Sequence, residues 1–542
     1  MATHQVSNQP PPLEGYDVFS QDRALVEGVE REGGGWAAAS LVELGTQAGT
    51  AEAIEWGRLA NAHPPGLRTH DRFGNRIDEV EYHPAYHQLM QVAVGHGLHA
   101  APWRAGVPAG AHVARAAGFT VWSQVDAGHG CPMSMTYAVV PALQAEPEVE
   151  AEWRPRLLST TYDHRVGPAE AKSGALAGMA MTERQGGSDV RANTTRAEPA
   201  DDGSWALTGH KWFCSAPMAD LLLVLAQAPR GLSCFAVPRW RPDGTRNAIA
   251  LQRLKDKLGN RSNASAEIEL DRTWARLLGE EGRGVHVIIA MVNHTRLDCV
   301  IGAASGMRQA LAQATHHAAH RRAFGRDLID QPLMANVLAD LAVESEAATA
   351  TMLRLARAYG TDDPPESAFR RLATAVAKYW VCKRQPPFVA EALECLGGNG
   401  YVEEQILPRL FRESPLNGIW EGSGNVICLD ALRTMSREPE SVEAFRAELG
   451  LALGADARYD AFVARLDALL ADPAGIEARG RRVVEVMALA LQGSLLVRHG
   501  HHAVADAFCA SRLGGDWGRA FGTLPPGVDT GTIVDRARPK LN

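Results

Sequence analysis

The sequence predicts an α+β protein that is mostly helix, with a small β domain set between helical regions. Three observations carry this. Apolar residues recur at helical spacing before about residue 175 and again from Gly284 onward. Between them, from about Leu176 to Glu280, the texture changes to short apolar runs broken by turn signals. At 542 residues the chain is too long for one core, and roughly one domain per 100 to 200 residues gives three or four.

Residues 1–175 read as a helical N-terminal domain. The Ala-rich stretch from Asp22 to about Pro147 is interrupted at Ala62-His63-Pro64-Pro65 and Ala105-Gly106-Val107-Pro108. Residues 176–280 read as an antiparallel, barrel-like middle domain. Turns fall at Asp201-Asp202-Gly203-Ser204, Pro229-Arg230-Gly231 and Pro242-Asp243-Gly244, and Ala266-Glu267-Ile268-Glu269-Leu270 alternates with period two. Residues 281–436 predict a four-helix bundle: a long helix through Met291, Leu297, Ile301 and Leu311 towards Arg321, helices near 331–359 and 366–396, and a fourth after Glu421 ending near Met435. Residues 437–542 read as a separable helical extension, with Val483, Val484, Met487, Leu491 and Leu495 on one face.

An apolar fraction of 46% and a charged fraction of 22% are ordinary for globular chains and exclude a fibrous or disordered class. The N-terminus lacks a basic segment followed by an apolar one, and no run of roughly 18 apolar residues stands out, so a cytoplasmic location is expected. The eight cysteines are scattered singly and read as reduced, buried thiols. The histidine clusters His316-His317-His320 and His499-His501-His502 read as packed or surface residues, and no metal is expected. The formal charge of −8 opposes overall attraction to nucleic acid. It lies entirely in the first 440 residues, because twelve acids balance twelve bases, eleven of them arginine, from residue 441 onward.

The string Ala180-Met181-Thr182-Glu183-Arg184-Gln185-Gly186-Gly187-Ser188-Asp189 opens the β block. Its glycines let backbone approach a flat ligand, and Thr182 and Ser188 offer hydroxyls; a plain polar turn is the other reading. Gly209-His210-Lys211-Trp212-Phe213-Cys214-Ser215 follows, then Lys257-Leu258-Gly259-Asn260-Arg261-Ser262, Arg321-Arg322-Ala323-Phe324-Gly325 with Gln331, Leu396-Gly397-Gly398-Asn399-Gly400-Tyr401, and Ile419-Trp420-Glu421-Gly422-Ser423-Gly424-Asn425.

These six ordered strings resemble the signatures of the acyl-CoA dehydrogenase superfamily, and the resemblance covers the chain to about residue 435. It implies that superfamily's fold and FAD as cofactor. Met181, Thr182, Gly187 and Ser188 would wrap the flavin ring, with Phe213 and Ser215 beside it. Arg321, Phe324, Gln331, Gly397 and Gly398 would reach the FAD of a neighbouring subunit, and Trp420, Gly422, Ser423 and Asn425 complete the cofactor set. The resemblance makes Glu421 the catalytic base that removes the substrate α-proton. Phe213 and Ser215 replace Trp and Thr of the usual pattern, Ser262 falls one place early, and Trp420 replaces Tyr, where its indole narrows the acyl cavity or packs in core. Thr295-Arg296 occupies the place where some branched-chain members carry their glutamate.

Within the superfamily, the length, the extension and strings such as Arg31-Glu32-Gly33-Gly34-Gly35-Trp36 and Gly57-Arg58-Leu59-Ala60-Asn61 resemble the AidB-type adaptive-response flavoproteins. That resemblance implies a homotetramer of the DNA alkylation response that binds double-stranded DNA and has weak isovaleryl-CoA-like dehydrogenase activity. Arg433, Arg479, Arg481, Arg482, Arg498 and Arg519 are the candidate DNA contacts; pairing with Asp and Glu on solvated helix faces is the competing reading of each. The alternative function is a working short- or branched-chain acyl-CoA dehydrogenase whose extension serves only in assembly.

Overall fold

The computed structural model describes residues 3–472 and 474–541. In chain order the elements are α1 (Arg23–Arg31), α2 (Ala38–Ala48), α3 (Ala51–Ala62), β1 (Gly66–His70), β2 (Arg76–Glu81), α4 (Pro84–Gly95), α5 (Ala111–Ser123), α6 (Gly130–Leu143) and α7 (Pro147–Leu157). Strands β3 (Ala177–Ala180), β4 (Arg196–Pro199), β5 (Trp205–Ser215), β6 (Leu221–Ala228), β7 (Gly231–Pro238), β8 (Ile249–Leu254) and β9 (Ser265–Leu278) follow. Then come α8 (Gly284–His320), the short hairpin β10 (Arg322–Ala323) and β11 (Arg326–Asp327), α9 (Pro332–Tyr359), α10 (Pro364–Glu394), α11 (Ile406–Glu413), α12 (Gly424–Arg437), α13 (Pro439–Gly450), α14 (Ala457–Ala471), α15 (Gly480–His499), α16 (His502–Phe508) and α17 (Thr530–Ala537). Proline at the first turn starts α4, α7, α9, α10 and α13, where its missing N–H costs nothing.

Two compact units form, and they cut across the four segments read from the sequence. One comprises the chain up to Ile54, Ala109–Gln124 and everything from Cys299 onward; the other comprises Glu55–Pro108 and Val125–Asp298. The N-terminal helical region is divided between the two units. The extension after residue 436 is likewise not separable.

In the second unit, β6, β7, β9, β5 and β4 close into a ring, with β3 added on β6 and β8 on β9. The barrel is not purely antiparallel as expected: β3 and β4 both run parallel to β6, while β5, β7 and β8 pair antiparallel with their neighbours. Leu222, Val224, Phe235, Val237, Leu251, Ile268 and Leu270 fill its interior. The β1–β2 hairpin was not expected. Its strands are short and rich in charge, and Arg68 of β1 pairs with Glu81 of β2 at 2.7 Å. Asp71 caps its turn by accepting from the Phe73 and Asn75 amides, and Gly74 takes φ +88° there. The hairpin seats on the barrel through Leu67 and Val80.

In the first unit, α9 and α10 are the central helices. The face of α15 anticipated from Val483 to Leu495 is buried, and α15 packs on α9, α10 and α12, while α17 packs on α9. Fully buried Arg512 pairs with Asp340 and Glu344 of α9, and Arg536 binds Glu346 of α9 at 2.9 Å. Glu448 of α13 accepts from Arg354 of α9 at 2.8 Å and from Arg498 of α15 at 2.5 Å. Helix α8 is long and apolar enough to qualify by composition as a membrane span, with a mean hydropathy of 1.3 over its best window, but 72% of that window is buried in protein. All eight cysteines are buried, and among the described residues none forms a disulfide.

Candidate active site

The loop after β3 is shaped by one fully buried ion pair. Lys211 of β5 donates to Glu183 at 2.8 Å and to Leu225 O at 2.7 Å, and neither side chain of the pair is exposed. Glu183 also accepts from the Thr194 and Thr195 amides, the Thr194 hydroxyl and the Gln185 amide. Burial pushes its carboxyl pKa up, but these donors together outweigh burial and hold it well below the usual range. Around this anchor the chain turns tightly, with the Gly186 amide on Glu183 O at 3.0 Å. A Cβ at Gly187 would meet the Thr182 hydroxyl oxygen at 2.4 Å, so any side chain there would turn that hydroxyl aside. The backbone of Met181 and Thr182 is held in turn: Asn193 donates to Met181 O, and the Trp212 amide to Thr182 O. Met181 and Thr182 are half-buried, and Gly187 and Ser188 are exposed.

On β5, Cys214 is buried in the barrel while Phe213 is 57% exposed. Lys255 Nζ stands 3.5 Å from the Trp212 ring and 4.5 Å from the Phe213 ring. The Ser215 hydroxyl lies 3.1 Å from that of Ser265, to which Lys257 also donates. An open aromatic ring, two hydroxyls and two ammonium groups thus gather at the end of one strand. Sequence reasoning picked out Phe213 and Ser215 but gave no role to Lys211, Glu183 or Lys255.

Glu421 belongs to the other unit. It sits in the loop before α12 at φ +58°, followed by Gly422 at φ +103°. A non-glycine residue in the left-handed region costs about 1–2 kcal/mol, so the surrounding structure must enforce it. Trp420 is half-buried, and its Nε1 donates to Asn417 Oδ1 at 2.9 Å. Asn417 sits against Gly302 of α8, 3.2 Å from where a Cβ would be. Ser423 begins α12 without a side-chain cap, and Asn425 accepts from Arg481 at 2.8 Å.

The remaining cofactor candidates lie on the same unit as Glu421. Phe324 is 97% exposed at the β10–β11 tip, at φ +52°. Gln331 donates to Ala323 O at 3.0 Å, so this amide braces the hairpin. Arg321 donates to Asn8 O at 2.5 Å. Gly397 and Gly398 are exposed, with no atom within 4 Å of either hypothetical Cβ. Gly397 needs its glycine for φ +60°, whereas nothing in this chain demands one at Gly398.

The six DNA candidates divide. Arg433, Arg481, Arg482 and Arg519 are exposed. Arg498, contrary to expectation, is turned into the fold by Glu448, and Arg479 is held by Asp472 at 3.2 Å and by the Asp472 and Ala474 carbonyls.

Residues 8–164 match the family model for the adaptive response protein AidB N-terminal domain. Residues 178–273 match the acyl-CoA dehydrogenase middle domain, and residues 282–436 the acyl-CoA dehydrogenase C-terminal domain. The chain is 48% identical to the putative acyl-CoA dehydrogenase AidB of Escherichia coli strain K12, over 94% of each chain. It belongs to the acyl-CoA dehydrogenase family. Among solved structures, Caenorhabditis elegans ACDH-11 in complex with C11-CoA superposes with a TM-score of 0.86 at 28% identity, covering 94% of both chains. The FAD complex of a Bacillus anthracis acyl-CoA dehydrogenase gives 0.63 at 18% identity, over 84% of this chain and 81% of that one, and shares the fold.

Acyl-CoA dehydrogenases are FAD flavoproteins, and the residues present fit that cofactor. On the barrel unit, exposed Phe213 offers a ring face, and Ser215 and Thr182 offer hydroxyls.

Proposed function

We propose that this chain is an FAD-dependent acyl-CoA dehydrogenase of AidB type, weakly active on isovaleryl-CoA or a similar short branched thioester, that also binds duplex DNA. The observation that carries the dehydrogenase reading is Glu421, a carboxylate held at φ +58° in a braced loop. Its role is to take the proton α to the thioester carbonyl. FAD, when bound, supplies the acceptor for the hydride from the β carbon. Phe213 and Ser215 position the flavin, and Trp420 limits the width of the acyl cavity.

The DNA reading, with its place in the alkylation response, draws on the AidB likeness and on exposed Arg433, Arg481, Arg482 and Arg519. The homotetramer draws on exposed Phe324, Leu333 and Tyr401, which need a covering partner.

A second reading, a working dehydrogenase whose extension serves assembly alone, is favoured by the packing of α15 and α17 into the bundle and by the C11-CoA complex of the worm relative. Turnover with an artificial electron acceptor, run on acyl-CoAs from four to eleven carbons beside a salt titration of duplex DNA binding, separates the two. DNA binding that weakens steeply with salt, with slow turnover, supports the first; fast turnover without DNA binding supports the second.

A further inference from the structure

We infer that Lys378 is a positioning residue for the proton-abstracting glutamate: one buried ammonium ties down both ends of the turn that aims Glu421. The inference rests on the reading of Glu421 as the base. Lys378 lies in α10 and is 1% exposed. Its Nζ donates to Trp420 O at 2.7 Å and to Gly422 O at 2.5 Å. Those carbonyls belong to the peptide that enters Glu421 and the peptide that leaves Gly422. Between them lie the two residues at φ +58° and +103°.

A buried ammonium is costly unless it is hydrogen-bonded, and here two of its three N–H groups go to backbone oxygens rather than to a carboxylate. The charge is therefore spent on a backbone conformation. Glutamate does not hold a left-handed φ unaided, and a released loop relaxes towards right-handed or extended backbone and swings the carboxylate away. The rest of the α10 face forms the seat. A Cβ on Gly424 would stand 3.6 Å from Tyr379 and 3.2 Å from Lys383, and Cys382 bonds Cys299 O of α8 at 3.5 Å. The direction of the base is thus set from α10, across the loop from the helix that Glu421 precedes in sequence. Lysine suits the place because an unbranched ammonium can donate along two directions at once; methionine has the length without donors, and glutamine has donors with less reach.

The test compares FAD-loaded wild type with Lys378→Met and Lys378→Gln. Hydrogen exchange is followed across residues 416–426, and anaerobic flavin bleaching is followed with isovaleryl-CoA as the probe. The expected result for Lys378→Met is exchange at the loop amides at least tenfold faster, a limiting bleaching rate at least tenfold lower, a half-saturating concentration changed less than threefold, and FAD content unchanged. Lys378→Gln recovers part of both losses. Loop exchange in Lys378→Met equal to wild type overturns the proposal whatever the turnover. Loss of FAD or of fold in both variants also overturns it, since the lysine then serves the fold alone. Glu421→Gln run in parallel separates the two readings: bleaching that survives it removes Glu421 as base, whereas bleaching lost in Glu421→Gln but intact in Lys378→Met removes only the positioning role.

Discussion

Glu183 and Lys211 show what a motif hides at the scale of the residue. Both stand inside strings that the sequence displays plainly, yet neither composition nor spacing says that this carboxylate meets that ammonium 28 positions on. Phe213, Ser215 and Glu421 were picked out through the likeness of their strings to family signatures; the buried pair that shapes the loop beside β5 was not, because pairing is a property of the closed barrel. Replacing Lys211 with Met leaves Glu183 buried without its cation, and the expected cost is about 3–5 kcal/mol. Chemical denaturation of the variant reads it, together with a loss of bound FAD; unchanged stability would remove the pair from the account. Histidines give the pH dependence. Burial, with His164 stacked alongside, lowers the His87 pKa to about 4, and burial beside Arg321 does the same for His317. Both rings stay neutral in the fold until the pH nears 4, while the unfolded chain protonates from about pH 6.5 downward. Stability from these rings is therefore complete above about pH 6.5 and falls as pH drops towards 4. His87→Gln, which keeps a partner for the Tyr162 hydroxyl, should flatten the fall in melting temperature between pH 7 and 5; an unaltered slope would count against it.

Among the elements, the four long helices emerged within a few residues of their observed limits because their 3.6-residue periodicity extends over many turns. The β1–β2 hairpin escaped because its strands are short and charged, so their alternation resembles a loop; the Asp71-Arg72-Phe73-Gly74-Asn75 turn was the available signal. Separability of the last hundred residues was misjudged for a related reason. An apolar helix face says that something covers it, not which segment does. Here α15 and α17 cover α9 and α10, and Glu448, Arg512 and Arg536 meet buried partners on α9. Truncation after residue 436 should consequently strip Asp340 and Glu346 of their cations, leave Glu344 with Arg384 alone and Arg354 with Glu366 alone, uncover the apolar faces of α9 and α10, and give an insoluble protein rather than a folded flavoprotein core. Expression of that fragment checks this, and a soluble yellow fragment would contradict it. Glu448→Ala, which takes one carboxylate from Arg354 and Arg498 while Arg354 keeps Glu366, should cost about 1.5–3 kcal/mol in a denaturation curve.

For the whole molecule, net charge is a poor guide to DNA, since a total of −8 coexists with exposed arginines at residues 433, 481, 482 and 519. If these contact phosphate, each Arg→Ala variant should lower the slope of log affinity against log salt by about 1, while Arg498→Ala weakens the fold instead. Equal slopes in all variants would place the contacts elsewhere. The central claim is that a flavin and Glu421 together oxidise an acyl-CoA. Its most direct test is anaerobic single-turnover bleaching of the FAD-loaded protein by isovaleryl-CoA, in wild type and in Glu421→Gln. The account predicts bleaching in wild type and a rate at least about 10³-fold lower in the variant, with FAD content the same. Equal rates in the two proteins, or no bleaching of the wild type by any acyl-CoA from four to eleven carbons, would contradict it.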